Sequence, residues 1–114
     1  MAICSRNLEA ARAAAQEIEK ACGTQVRGYG ADVSDPQDVR RLLDEVRGSL
    51  GDPEILVTNA GGPPPGTYAD TAVEEYEKAL RLNLMSAVHL IHGVTGAMKA
   101  AGWGRIIAIT SISV

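Results

Sequence analysis

Phenylalanine is absent from the 114 residues, tryptophan occurs once, and aromatic residues make up 4%. Aliphatic side chains must therefore build the core, and 46% hydrophobic residues suffice for a globular one. Cysteine occurs only at Cys4 and Cys22. Two cysteines make neither a disulfide framework nor a metal site; they read as small core residues of a reduced, cytoplasmic protein. No apolar run is long enough to span a bilayer, so no membrane partner is expected. The opening MAICSRNLEAARAAAQ has neither the basic start nor the long apolar stretch of a secretory signal. Positive charge is not in excess either: Lys and Arg number 11 against 14 Asp and Glu, for a net charge of -3. With no basic cluster, nucleic acid is not an expected partner. His89 and His92 stand three apart, but no third ligand is spaced to join them, so no metal is expected.

What is present is an alternation of hydrophobic periods. Length predicts one domain, residues 1–114. Residues 1–5 read as a strand buried on both faces. Asn7 is placed to cap a helix whose stripe is Leu8, Ala11, Ala15, Ile18 and Cys22, and Gly23 ends it. Residues 25–32 read as a second, weaker strand. Ser34 or Asp35 caps the next helix, Pro36 fills its first turn, and Gln37 or Asp38 reaches back. Val39, Leu42, Leu43, Val46 and Leu50 form its buried stripe, and Gly51-Asp52-Pro53 breaks it. Residues 54–58 are a third strand. Thr71-Ala72-Val73-Glu74 reads as a capping box opening a helix that runs to about Ala101, and residues 105–114 open as a fourth strand. Strand and helix alternate throughout, which predicts an α/β fold with a parallel sheet and helices on its faces.

In such sheets ligands bind outside the carboxyl ends of the strands. Those ends carry Ser5-Arg6-Asn7, Ala31-Asp32-Val33, Asn59-Ala60-Gly61-Gly62 and Thr110-Ser111. All are small or polar. Gly61 and Gly62 read either as a turn or as room for a ligand against the backbone. Asn59 can also cap its own loop. Arg6 is either a solvated charge or, in a dinucleotide-binding fold, a ribose-phosphate selector; with no acid in Ser5-Arg6-Asn7, such a fold would favour NADP(H) over NAD(H). Asp32 is not needed to start the next helix, because Ser34 and Asp35 are available. Asn83 sits mid-helix, where Asn is a poor former, and shares a face with Tyr76, Leu80, Ala87 and Leu90, so it is expected to point inward. Pro63-Pro64-Pro65 reads as a stiff surface loop.

Asn59-Ala60-Gly61 straight after an apolar strand resembles the Asn-Ala-Gly motif of the short-chain dehydrogenases/reductases. Asp32-Val33, Asn83 within LRLNLMSAVHL, and Ser111 within GRIIAITSIS match three further family motifs in order and spacing. The resemblance covers essentially the whole chain. It implies a partial Rossmann fold, a doubly wound parallel sheet without the family's first strand, its Gly-rich turn and its C-terminal part. The family's Tyr-x-x-x-Lys would fall beyond Val114, so the chain reads as an internal fragment. The family's sheet order places the first strand between residues 1–5 and 54–58, so two separate parallel pairs are expected here.

The resemblance implies an NADP(H)-dependent oxidoreductase passing hydride between nicotinamide and a carbonyl or alcohol substrate. The stretches NAGGPPPG and GWGRIIAITSISV are similar to members named 3-oxoacyl-acyl-carrier-protein reductases. Ser111 would orient the carbonyl. Asn83 would mark a local distortion of the helix, where the main chain holds a water of the proton relay. Ser5, Arg6, Asn7, Asp32, Val33, Asn59, Ala60 and Gly61 would line the cofactor, with Asp32 and Val33 at the adenine. Helix 71–101 would pair subunits into a homo-dimer or homo-tetramer. The alternative is a non-catalytic nucleotide-binding or interaction module of the same fold. A receiver-like domain is disfavoured, because only Asp32 is acidic among the strand ends.

Overall fold

The computed structural model describes residues 1–61 and 65–110. Within them the chain divides into two compact units, Met1–Pro53 and Glu54–Val114. Each has its own parallel strand pair and its own helices, matching the two separate pairs expected from the resemblance.

In the first unit, strand β1 (Ala2–Ser5) pairs in parallel with β2 (Arg27–Gly30), from Ala2 against Arg27 to Ser5 against Gly30. Parallel pairing requires a crossover, and helix α1 (Leu8–Cys22) supplies it. Asn7 starts α1 by accepting the Ala10 N–H at 3.1 Å, and Gly23 stops it at φ 65°, where only glycine is unstrained. Ala11 and Ala15 are buried, and their small side chains bring α1 tight against β2. A Cβ added at Gly28 would lie 2.5 Å from the Ala11 carbonyl group. Glycine is required there by close approach, not by φ.

Helix α2 (Pro36–Leu50) starts at Asp35, whose carboxylate accepts the Gln37 N–H at 2.8 Å, with Pro36 in the first turn. Val39, Leu42, Leu43 and Val46 are buried as the stripe predicts. Leu42 and Val46 pack with Ala31 and Tyr29, and the Tyr29 hydroxyl lies 2.5 Å from Ser49 Oγ.

A polar clamp fastens the start of α2 to the end of β2. Asp38 Oδ2 accepts the Asp32 N–H at 3.0 Å. Asp38 Oδ1 accepts from Arg41 Nε and Nη2, at 3.2 and 2.9 Å. Arg41 Nη2 also donates to the Gly30 carbonyl at 2.9 Å, and Nη1 to Glu45 at 2.8 Å. The acid that reaches back is therefore Asp38, and its target, the Asp32 N–H, is three residues before the N-cap.

In the second unit, β3 (Ile55–Thr58) pairs in parallel with β4 (Arg105–Ala108), Ile55 against Arg105 through Thr58 against Ala108. The long helical run is continuous but not uniform. It comprises α3 (Val73–Leu80), a π turn (Arg81–Met85) and α4 (Ser86–Ala101). Gly102 stops it at φ 67°, with the Trp103 N–H returning to the Met98 carbonyl at 3.1 Å. No helix among the described residues is long and apolar enough to cross a membrane.

Three sequence expectations are corrected. Thr71 is not an N-cap: Ala72 occupies that position without a side-chain bond, and Thr71 Oγ1 donates to the Thr67 carbonyl across a short 3-10 turn, Tyr68–Asp70. Residues 1–5 are not buried on both faces: β1 is exposed except for half-buried Ile3. In a two-stranded sheet each strand has one neighbour, so an edge stays open. Cys4 and Cys22 are exposed rather than core.

Two outcomes follow for urea titrations of the chain. Gly28→Ala drives a methyl into the α1 backbone and lowers stability by about 1–3 kcal/mol. Gly48→Ala, on α2 with nothing within 4 Å of the new methyl, raises it by about 0.5–1 kcal/mol. The clamp generates a pH dependence. Hydrogen bonds from Ser34 hold the Asp32 carboxyl below the ordinary range, and those from the Asp32 amide and Arg41 do the same for Asp38. Stabilisation from depressed carboxyls is fully present above the unfolded value of about 3.9 and disappears as pH falls through the lower folded values. The urea midpoint should therefore drop below about pH 4, and Asp38→Asn should make that drop shallower.

Candidate functional site

The strand ends identified from sequence emerge in two groups, one per unit. Parallel pairing brings the ends of β1 and β2 out together, because Ser5 lies opposite Gly30. Ser5 Oγ accepts the Asn7 N–H at 3.2 Å, and Asn7 Oδ1 caps α1. The side chains of Ser5 and Asn7 thus shape the turn, and Arg6 between them is exposed. Among the described residues the Arg6 side chain makes no hydrogen bond or ion pair, although its charge helps lower the Asp32 carboxyl.

Asp32 and Val33 are both half-buried. Asp32 Oδ1 accepts the Ser34 N–H at 2.9 Å and the Ser34 hydroxyl at 2.7 Å. Its carbonyl accepts the Asp35 N–H at 3.0 Å. Asp32 therefore shares the local work that the sequence reading gave to Ser34 and Asp35 alone. One carboxylate oxygen is committed to the loop. Asp38 and Arg41, which hold this loop, were not assigned to the site from sequence. Their i, i+3 spacing was the available signal, and it reads equally well as a surface ion pair.

In the second unit Asn59, Ala60 and Gly61 continue directly from β3, beside the end of β4, where the Ile109 N–H donates to the Thr58 carbonyl at 2.8 Å. Asn59 and Gly61 are exposed and Ala60 is half-buried. A Cβ at Gly61 would meet nothing within 4 Å, and the residue has no positive φ. Among the described residues nothing demands glycine there, and the space beside its backbone is open. Gly62, Pro63 and Pro64, with Ser111 and the residues after it, lie outside the described residues.

Asn83 falls inside the π turn, the local distortion that the resemblance implied. It does not point inward. It is exposed, and its amide donates to the Ala79 carbonyl at 3.1 Å. The π turn explains the difference. The Ser86 N–H bonds to the Arg81 carbonyl, five residues back, so one extra residue enters the turn. An extra residue rotates everything after it by about 100°. A face drawn at constant period through Tyr76, Leu80, Asn83, Ala87 and Leu90 does not exist: Tyr76 and Leu80 are exposed, whereas Ala87 and Leu90 are half-buried.

Chemically, the first group offers an unpaired guanidinium beside a half-buried carboxylate. The second offers an amide and an uncovered backbone at a strand end.

Comparison with known proteins agrees with this geometry. The chain is 33% identical over 100 residues to D-beta-hydroxybutyrate dehydrogenase of Rhizobium meliloti (strain 1021), covering 88% of this chain and 39% of that protein. It is 33% identical over 98 residues to the 3-oxoacyl-acyl-carrier-protein reductase FabG of Escherichia coli (strain K12), covering 86% and 40%. The structure of L-sorbose reductase from Gluconobacter frateurii, complexed with NADPH and L-sorbose, superimposes with a TM-score of 0.90 at 32% identity, over 97% of this chain and 42% of that one. The chain thus spans about two-fifths of the length of the curated relatives it matches. The short chain dehydrogenase family matches residues 1–114 without a break, and the parallel pairs, the Asn-Ala-Gly strand end and the π turn at Asn83 all lie within that match: the chain belongs to the short-chain dehydrogenase family.

Proposed function

We propose that this chain forms part of a single dinucleotide-binding domain in an NADP(H)-dependent oxidoreductase that interconverts a carbonyl and an alcohol. The observation that carries the reading is Arg6, an exposed cation with no partner among the described residues, at a strand end that has no acid of its own. A guanidinium there pairs with a 2′-phosphate, whereas NAD would call for a carboxylate to bind its 2′-hydroxyl. The bound cofactor supplies the hydride. The chain's residues position it: Ser5 and Asn7 shape the turn that presents Arg6, Asp32 and Val33 form the adenine edge, and Asn59, Ala60 and Gly61 leave the backbone clear.

Ser111 donates a hydrogen bond to the substrate carbonyl, and the main chain at Asn83 holds a relay water. A 3-oxoacyl thioester is the proposed substrate, supported by the NAGGPPPG and GWGRIIAITSISV stretches and by the likeness to FabG. Subunits pair as a homo-dimer or homo-tetramer through residues 71–101, where Leu80, Leu84 and Val88 are all exposed at 44–57%. A reduced, cytoplasmic setting suits two exposed, unpaired thiols, Cys4 and Cys22.

A second reading is a nucleotide-binding or interaction module without turnover. None of Tyr29, Tyr68 and Tyr76 is followed four residues later by lysine, so these 114 residues contain no Tyr-x-x-x-Lys. The chain alone is accordingly expected to show no NADPH-dependent ketone reduction.

A chimera tests the cofactor assignment: residues 1–114 replace the matching segment of Escherichia coli FabG. NADPH should be preferred over NADH in kcat/KM, and Arg6→Asp should shift the ratio toward NADH on the order of tenfold. An unchanged ratio removes Arg6 and the NADP assignment with it. Ser111→Ala should lower kcat on the order of 100-fold while leaving NADPH affinity within about twofold. If fluorescence titration shows cofactor binding lost as well, Ser111 is structural.

A further inference from the structure

A groove of 640 Å³ runs along the outer edge of β2. Gly28 and Gly30 of β2, Arg12 of α1 and Arg41 and Glu45 of α2 line it, and no residue assigned above to cofactor or substrate does. β1 occupies the other edge: the Arg27 N–H donates to the Met1 carbonyl at 2.9 Å, and the Ala31 N–H to the Ser5 carbonyl at 3.0 Å. Alternate residues of a parallel ladder bond to the same neighbour, so Gly28 and Gly30 turn their N–H and C=O groups outward. Arg41 verifies this parity by donating to the Gly30 carbonyl. The Gly28 N–H, the Gly28 carbonyl and the Gly30 N–H face the groove.

Those groups match an added parallel strand. One residue of the incoming strand donates to the Gly28 carbonyl and accepts from the Gly30 N–H. The charge of the lining decides what kind of strand fits. Arg41 is held by Asp38 and Glu45. Arg12 meets Glu9 only at 3.4 Å, between two exposed side chains, a contact of little strength in water. Arg27 makes no ion pair among the described residues. Two cations are thus open to exchange, on a chain whose net charge is -3. A free phosphate would use the arginines but would face the Gly28 carbonyl with its own negative charge; a peptide backbone satisfies that carbonyl.

We propose that the β2 edge groove binds an extended acidic peptide segment as an added strand, with Arg12 and Arg27 meeting its carboxylates. The test is a titration of the 15N-labelled 114-residue chain with a heptapeptide alternating glutamate and valine, beside its lysine–valine counterpart. The acidic peptide should shift the Gly28 and Gly30 amide resonances and slow their hydrogen exchange. Arg27→Glu should weaken binding at least about fivefold, and so should Arg12→Glu, which serves if the first variant does not fold. Arg40→Glu, exposed and outside the groove, should leave it unchanged. Equal binding of the lysine peptide, displacement by equimolar inorganic phosphate, or shifts confined to other residues would each overturn the proposal.

Discussion

Helix α1 lies against β2 so closely that a methyl group at residue 28 would sit within the van der Waals radius of the helix backbone. Much of the first unit depends on this contact. Two parallel strands cannot be joined by a tight turn, so the crossover helix must return across the sheet, and its distance from the strand is set by the smallest side chains between them. Ala11 and Ala15 on the helix and Gly28 on the strand keep that distance short. With α1 seated, its capping residue Asn7 is fixed, and so is the turn that holds Arg6 out from the strand end.

Polar contacts finish what packing begins. The aliphatic stripe of α2 fixes which face turns inward, but a stripe tolerates sliding along its own axis. The Asp38 clamp supplies a fixed point. It binds the Asp32 amide on one oxygen and Arg41 on the other, and Arg41 closes onto the Gly30 carbonyl. These groups are solvated, so their worth lies less in stability than in register. They hold the loop that carries Asp32 and Val33 in one conformation.

Legibility from sequence followed the range of each interaction. The cap at Asn7, the choice of Ser34 or Asp35 for α2, the stop at Gly23 and the stripe of α2 are set by neighbours within one or two turns, and all were readable. The division into two parallel pairs was readable through family resemblance, since strand order is a property of the whole sheet. What failed depended on local geometry or on how many neighbours a strand has. Thr71 looked like a cap because its spacing to Glu74 is right, yet the 3-10 turn before it claims its hydroxyl. The orientation of Asn83 was misjudged because one extra residue in a turn is invisible to any count at constant period. Strand burial was overestimated because an apolar run reports what a strand prefers, not how many neighbours it has.

The two parallel pairs also differ in how far the chain must travel to close them. The partners that open the β1–β2 ladder, Ala2 and Arg27, are about 25 residues apart, and those that open the β3–β4 ladder, Ile55 and Arg105, about 50. Doubling a loop raises its closure entropy by about 0.6 kcal/mol, and pairing of distant segments slows folding further. The first pair therefore has the kinetic advantage. On a ribosome the advantage grows, because Met1–Pro53 emerges as a complete unit before Arg105 has been added. The strand end bearing Arg6 is in place while the partner of β3 is still unsynthesised.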